Sequence, residues 1–295
     1  MPPAGPVDAV SFERRGALPC VRLRTPQGDE ACVSLFGAQL LSWQPAGGDE
    51  RLFLGARSRL DGLAPIRGGV PVVFPQFADL GPLPAHGLAR TAPWQLQHSQ
   101  ADAGGTRATL GLRDDALTRA CWPHAFACEL GVHLQPQTIE ITWRLSNPGP
   151  GPLRAQAALH TYLRVADVHR ARLLGLDGAA YRDRRDGARL HVQAEPALRV
   201  ADGLDRLYVD APRRLRLDEP GTTVEVLARG FADVVVWNPG PERAASIADL
   251  APGDERRLVC VEAAAVETPI ALQPGESWQG AQRLTRVAPL TGASC

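Results

Sequence analysis

A glutamate stands in the middle of LVCVEAAAV, residues 258 to 266, where the other eight residues are apolar and several are β-branched. The run predicts a strand buried on both faces, in which a lone carboxylate is costly unless something pairs with it. Burial raises the pKa of Glu262 unless arginine or histidine charge offsets it, and that balance can place a proton acceptor near neutral pH.

A partner is sought first among the seven histidines. Strand phase puts His133 opposite Val132 and Leu134, and His191 between Leu190 and Val192, so both are expected on solvated faces. His98, His124 and His169 lie in polar or loop surroundings that mark nothing. His160 differs. In LRAQAALHTYLRV the apolar phase runs through Leu153, Ala155, Ala157, Leu159, Leu163 and Val165, leaving Arg154, Gln156, His160, Tyr162 and Arg164 together on the other face. Such a face could line a cleft or simply be wet.

A second concentration lies in IRGGVPVVFPQFADLGPLPAHGLART, residues 66 to 91. Arg67 precedes two glycines that permit close backbone approach to a ligand, and His86 and Arg90 are set among prolines and a glycine. The alternative is a long irregular connection with an incidental histidine. Asp205, in DGLDRLY, is a loop acid that a surface turn would equally explain. His86, His160 and Glu262 are metal-ligand types, but none has a short fixed spacing of the HExxH kind, so no metal is expected.

The elements that must position these residues read as strands. TIEITWRLS, 138 to 146, alternates Ile139, Ile141, Trp143 and Leu145 against Thr138, Glu140, Thr142 and Arg144, and Phe126 to Leu134 alternates in the same way. Further short runs fall at 21–25, 31–37, 107–113, 189–193, 222–229, 232–238 and 282–287, with turn signals between nearly all of them, and SNPGPGP at 146–152 reads as a hairpin loop. Helical periodicity rarely lasts beyond two turns. The fold class is therefore all-β, an antiparallel sandwich, with no repeat or linker to divide residues 1–295 into separate domains.

Composition bounds the function. The 32 basic and 32 acidic residues cancel and are interspersed, which leaves no basic field for nucleic acid or an anionic membrane. No segment suits a signal peptide or a membrane helix, so a cytoplasmic protein is expected. The six cysteines are scattered at neither zinc nor redox spacing, with Cys260 read as packing. Every basic residue is arginine. That excludes Schiff-base chemistry and any lysine base, and leaves phosphate recognition to arginine or backbone.

Seven ordered stretches, GAQLLSW (37–43), IRGGVPVVFPQF (66–77), AHGLAR (85–90), ALHTYL (158–163), DRLY (205–208), VVVWNP (234–239) and VCVEAAAV (259–266), followed by LQPGESW (272–278), resemble the aldose 1-epimerase-like superfamily, and within it the hexose-6-phosphate mutarotases. The resemblance covers nearly the whole chain. It implies a large antiparallel β-supersandwich with a core of about residues 20–288 and a sugar cleft on one sheet. It also implies His160 as general acid, Glu262 as general base, and Arg67, His86, Arg90 and Asp205 as substrate ligands, with Arg67 and Arg90 meeting a 6-phosphate. No cofactor is implied, the partner is a small sugar phosphate, and a monomer is expected. One departure is visible, since Gly240 and Pro241 follow WNP where a second tryptophan is common in such proteins. A mutarotase of free hexoses, and a non-catalytic sugar-binding module on the same scaffold, are the rival readings.

Overall fold

The computed structural model describes residues 8–200 and 203–287; Cys295 lies outside them. Among the described residues 21 strands form antiparallel sheets of four, eight and nine strands. The all-β expectation holds, and the two α-helices, Ala116–Cys121 and Gly240–Ala244, are short.

The strand Leu258–Leu272 runs through the eight-stranded sheet, pairing with Asp233–Asn238 on one side and with Leu153–Leu159 and Tyr162–Arg164 on the other. Its alternation explains why nearly every residue is apolar. Val259, Val261, Ala263 and Ala265 enter the main core, where they meet Ile139, Ile141, Trp143 and Leu145 of the nine-stranded sheet. Leu258, Cys260, Ala264 and Val266 point the other way, into a second cluster with Phe53, Phe77, Tyr162 and Trp237. Each fully buried valine contributes about 1.5–3 kcal/mol of transfer free energy. Glu262 shares the phase of the second face and is 1% exposed. The four-stranded sheet, from Val10–Arg15 to Leu40–Gln44, adds Val21, Leu23, Val33 and Trp43 to the main core.

Two local expectations are corrected. The segment 146–152 is not a hairpin loop, because Thr138–Ser146 belongs to the nine-stranded sheet and Leu153–Leu159 to the eight-stranded one. It is a crossover shaped by Asn147, whose side-chain amide donates to Gly151 O and Leu272 O while its oxygen accepts from Gly149 N. The phase of Arg189–Val192 is also inverted. Leu190 and Val192 are 60% and 63% exposed, whereas His191 stacks on Tyr181 at 5.3 Å and reaches Asp186 Oδ2 at 2.7 Å. On a four-residue outer strand, ring stacking and a carboxylate partner outweigh two aliphatic side chains. His133 lies on a half-buried strand as expected, with Nε2 2.9 Å from Gly104 O.

Candidate active site

Register sets the central pair. Leu159 pairs with Ala263 and Tyr162 with Cys260, so the two residues between strands Leu153–Leu159 and Tyr162–Arg164 place His160 opposite Glu262. The break is held by His160 N donating to Pro71 O, Val261 N donating to Thr161 O, and the Thr161 hydroxyl bonding Gln282 Oε1. His160 Nδ1 approaches Glu262 Oε1 at 3.2 Å. The contact is within reach but not aligned as a hydrogen bond, and Nδ1 together with Glu262 Oε2 is buried without a hydrogen-bond partner. Two such atoms side by side are costly in a structural role.

The surroundings hold the imidazole flat. Tyr162 stacks on it at 4.7 Å and 9°, Trp237 meets it edge-on at 6.2 Å, and His86 packs at 5.3 Å. Of that face, Gln156 is half-buried and His160 and Tyr162 are buried, so it is not simply wet. Gln156 bonds Phe77 N and Val266 O there, while Arg154 at the far end is exposed.

The loop 66–91 delivers the rest. Its paired glycines serve the protein's own backbone rather than a ligand, since a Cβ on Gly69, at φ +60°, would lie 2.2 Å from Leu40 O. That tight approach places Arg67, whose Nη1 donates to Tyr162 Oη at 3.0 Å and whose Nε stands 3.9 Å from Asp249 Oδ2. His86 adopts φ +66° and its Nδ1 accepts from Ala78 N, which leaves Nε2 as the ring's hydrogen-bond donor. Burial, then the charges of Arg90, Arg67 and Arg184, push His86 down to about 3, so it is neutral. Arg90 donates to Ala85 O, and burial followed by the Arg67 charge lowers it to about 10. The Nε–H groups of Arg67 and Arg90 are both buried without an acceptor. Two crowded guanidiniums with unused donors have the chemistry that an anion satisfies.

Asp205 pairs with Trp237 across the next strands and stands between Arg184 Nε at 3.9 Å and Arg243 Nη1 at 3.5 Å. Burial holds its carboxyl above the ordinary value although both arginines pull it down. Burial also pushes the Glu262 carboxyl well up, helped by Asp205 and partly offset by Arg184. Burial pushes the His160 imidazole well down, and His86, Arg67 and Arg90 act in the same direction. Both directions disfavour the charged forms and so work against an imidazolium–carboxylate pair.

All six residues singled out in the sequence come together here. Arg184 and Arg243 were missed. Arg184 lies 6.0 Å from the Phe77 ring centroid and contacts Asp79, and Arg243 lies over Trp237 at 5.8 Å. The departure after WNP is a short helix, Gly240–Ala244, and Arg243 on it lies over Trp237. Neither arginine has a local pattern that distinguishes it from the other arginines of the chain. Cys260 joins His160 and Glu262, the three offering donor atoms within 4.8 Å of one another, whereas His86 is not part of that group.

The family model described as Aldose 1-epimerase matches residues 19–285. The chain belongs to the aldose 1-epimerase family. A Cenchrus ciliaris protein bearing the name "Putative glucose-6-phosphate 1-epimerase" is 32% identical over 277 residues, covering 90% of this chain and 84% of that protein. An Escherichia coli K12 protein of the same name is 34% identical over 240 residues, 80% of this chain and 79% of that protein. The crystal structure of a Salmonella typhimurium protein described as a "putative mutarotase" superposes with a TM-score of 0.88 at 28% identity, covering 96% of this chain and 95% of that one. The fold is thus the galactose mutarotase-like supersandwich, and as a member of the aldose 1-epimerase family the chain is an isomerase.

Proposed function

We propose that this member of the aldose 1-epimerase family interconverts the α and β anomers of hexose 6-phosphates, glucose 6-phosphate foremost, by proton transfer through Glu262 and His160. The observation that carries the reading is the facing pair at 3.2 Å with unpartnered Nδ1 and Oε2, near two arginines whose charges act on His160 and whose buried Nε–H groups lack acceptors.

Mutarotation requires the O1 proton to leave as the ring oxygen gains one. The neutral pair does this as a relay. Glu262 Oε2 takes the O1 proton, Glu262 Oε1 passes its own to His160 Nδ1, and His160 Nε2–H protonates O5. The O1–H electrons become the C1=O1 double bond and the C1–O5 pair goes to O5, opening the ring. Rotation about C1–C2 and the reverse steps close it on the other face. Glu262 is the net base and His160 the net acid, as the sequence resemblance implies, without a buried ion pair. Each acid or base contributes roughly 10²- to 10⁴-fold. Neutral His86 donates through Nε2 to a sugar oxygen, Asp205 accepts from a hydroxyl, and Arg67 with Arg90 binds the phosphate. All of this is proton chemistry performed by the chain's own side chains.

The test is anomer exchange of glucose 6-phosphate followed by NMR with wild type, His160→Ala and Glu262→Gln. Exchange by wild type that falls at least about 100-fold in each variant supports the relay. Unchanged exchange in either variant overturns it, and sugar binding without exchange by wild type establishes a binding module instead.

A further inference from the structure

We infer that the acid–base centre is also a binding site for a thiophilic divalent cation, zinc in particular, held by Cys260, Glu262 and His160, and that the ion acts as a reversible inhibitor rather than a cofactor. The inference rests on the catalytic reading above only for its inhibitory consequence; the binding itself rests on geometry.

Cys260 and Glu262 are two residues apart on Leu258–Leu272 and so share a face, and register brings His160 opposite Glu262 from the neighbouring strand. Their donor atoms, one sulfur, one carboxylate oxygen and one ring nitrogen, lie within 4.8 Å of one another, and all three residues are buried. Within these residues His160 Nδ1 and Glu262 Oε2 have no hydrogen-bond partner, so an ion bound at those atoms displaces no hydrogen bond.

The donor set selects the metal. Magnesium and calcium take oxygen ligands, whereas sulfur and imidazole with one carboxylate suit zinc at about 2.0–2.3 Å, a contraction of the cluster by roughly 1 Å. Three protein ligands leave a fourth position for a water or other exogenous ligand. The proton relay uses Oε2 and Nδ1, so a metal on those atoms stops it, whereas Cys260 contacts neither O1 nor O5 in the relay. The thiol is therefore free to be changed without removing the acid or the base.

The experiment titrates zinc, magnesium and cobalt(II) into chelator-treated full-length protein by calorimetry and absorption, with Cys260→Ala and the near-isosteric Cys260→Ser beside wild type, and repeats the anomer-exchange assay at each zinc concentration. Wild type is expected to bind one zinc, to show a thiolate-to-cobalt charge-transfer band, to ignore magnesium, and to lose exchange activity that a chelator restores. Both variants are expected to keep exchange activity, lose the band, and bind zinc more weakly by on the order of tenfold or more. Absence of stoichiometric zinc uptake by wild type, or unchanged zinc affinity and no cobalt–thiolate band, overturns the proposal. Binding with the band but without inhibition would retain the site and reject its inhibitory role, while absence of exchange by metal-free wild type would count against the mutarotase reading alone.

Discussion

Glu262 and glutamine have nearly the same shape and differ in the ability to move a proton, which makes Glu262→Gln the sharpest single-residue probe. Besides losing turnover, the variant is expected to melt higher than wild type above pH 4.5. The sign follows from burial. The folded carboxyl titrates above its unfolded value, so as pH rises past that value the unfolded chain releases a proton the folded chain keeps, and wild-type stability falls until the folded group ionises. Thermal melts of both proteins from pH 4 to 9 check this, and parallel curves would contradict it. The same shifts shape catalysis. The relay needs the pair to hold one proton, so kcat/KM is expected to be bell-shaped, with its acid limb below the ordinary histidine value near 6.5 and its alkaline limb above the ordinary carboxylate value near 4.5. Arg67→Ala is expected to raise KM for a hexose 6-phosphate by about 10- to 100-fold while moving KM for the free sugar far less, the size of a lost charge-assisted contact. Equal changes for both sugars would assign Arg67 to the fold.

Elements decide whether those residues meet. The loop 66–91 is irregular yet fixed, and Gly87 shows why, because at φ +72° a Cβ would lie 2.2 Å from Phe74 O. Gly87→Ala is expected to cost about 1–3 kcal/mol of stability and to raise KM by displacing His86, read by denaturant titration and initial rates. The loop is also expected to make the protein acid-sensitive. Folded His86 titrates at about 3, well below its unfolded value, so its contribution is complete above pH 6.5 and is lost as pH falls toward 3. His86→Gln should flatten that loss, by at most about 3 kcal/mol between pH 6.5 and 4; an unchanged slope would place the acid sensitivity elsewhere. Strand phase made Glu262 and the His160 face legible, since period-two alternation is local. It failed at Arg189–Val192, where Tyr181 and Asp186 on neighbouring segments decide which side is inward. Arg184 and Arg243 were illegible for the same reason, since only contacts with Phe77, Trp237 and Asp205 bring them to the candidate site.

At the scale of the molecule, two large sheets share one core, and the eight-stranded sheet packs its other face into a second cluster around Tyr162 and Trp237, beside His160. The all-β class was readable because alternating runs such as 138–146 recur between turn signals, while the sheet each strand joins was not. The 146–152 segment looks local in sequence and crosses between sheets in space, an assignment set by long-range pairing. In the proposed reaction Glu262 and His160 move the protons and Arg67 with Arg90 meets the phosphate, so the molecule should distinguish sugars by whether they carry one. The most direct test is the catalysed anomer-exchange rate of glucose 6-phosphate against free glucose and free galactose, followed by NMR with metal-free protein. The account predicts a kcat/KM for glucose 6-phosphate at least about tenfold above that for either free sugar, the worth of one charge-assisted contact. Equal or faster exchange of the free sugars would contradict it.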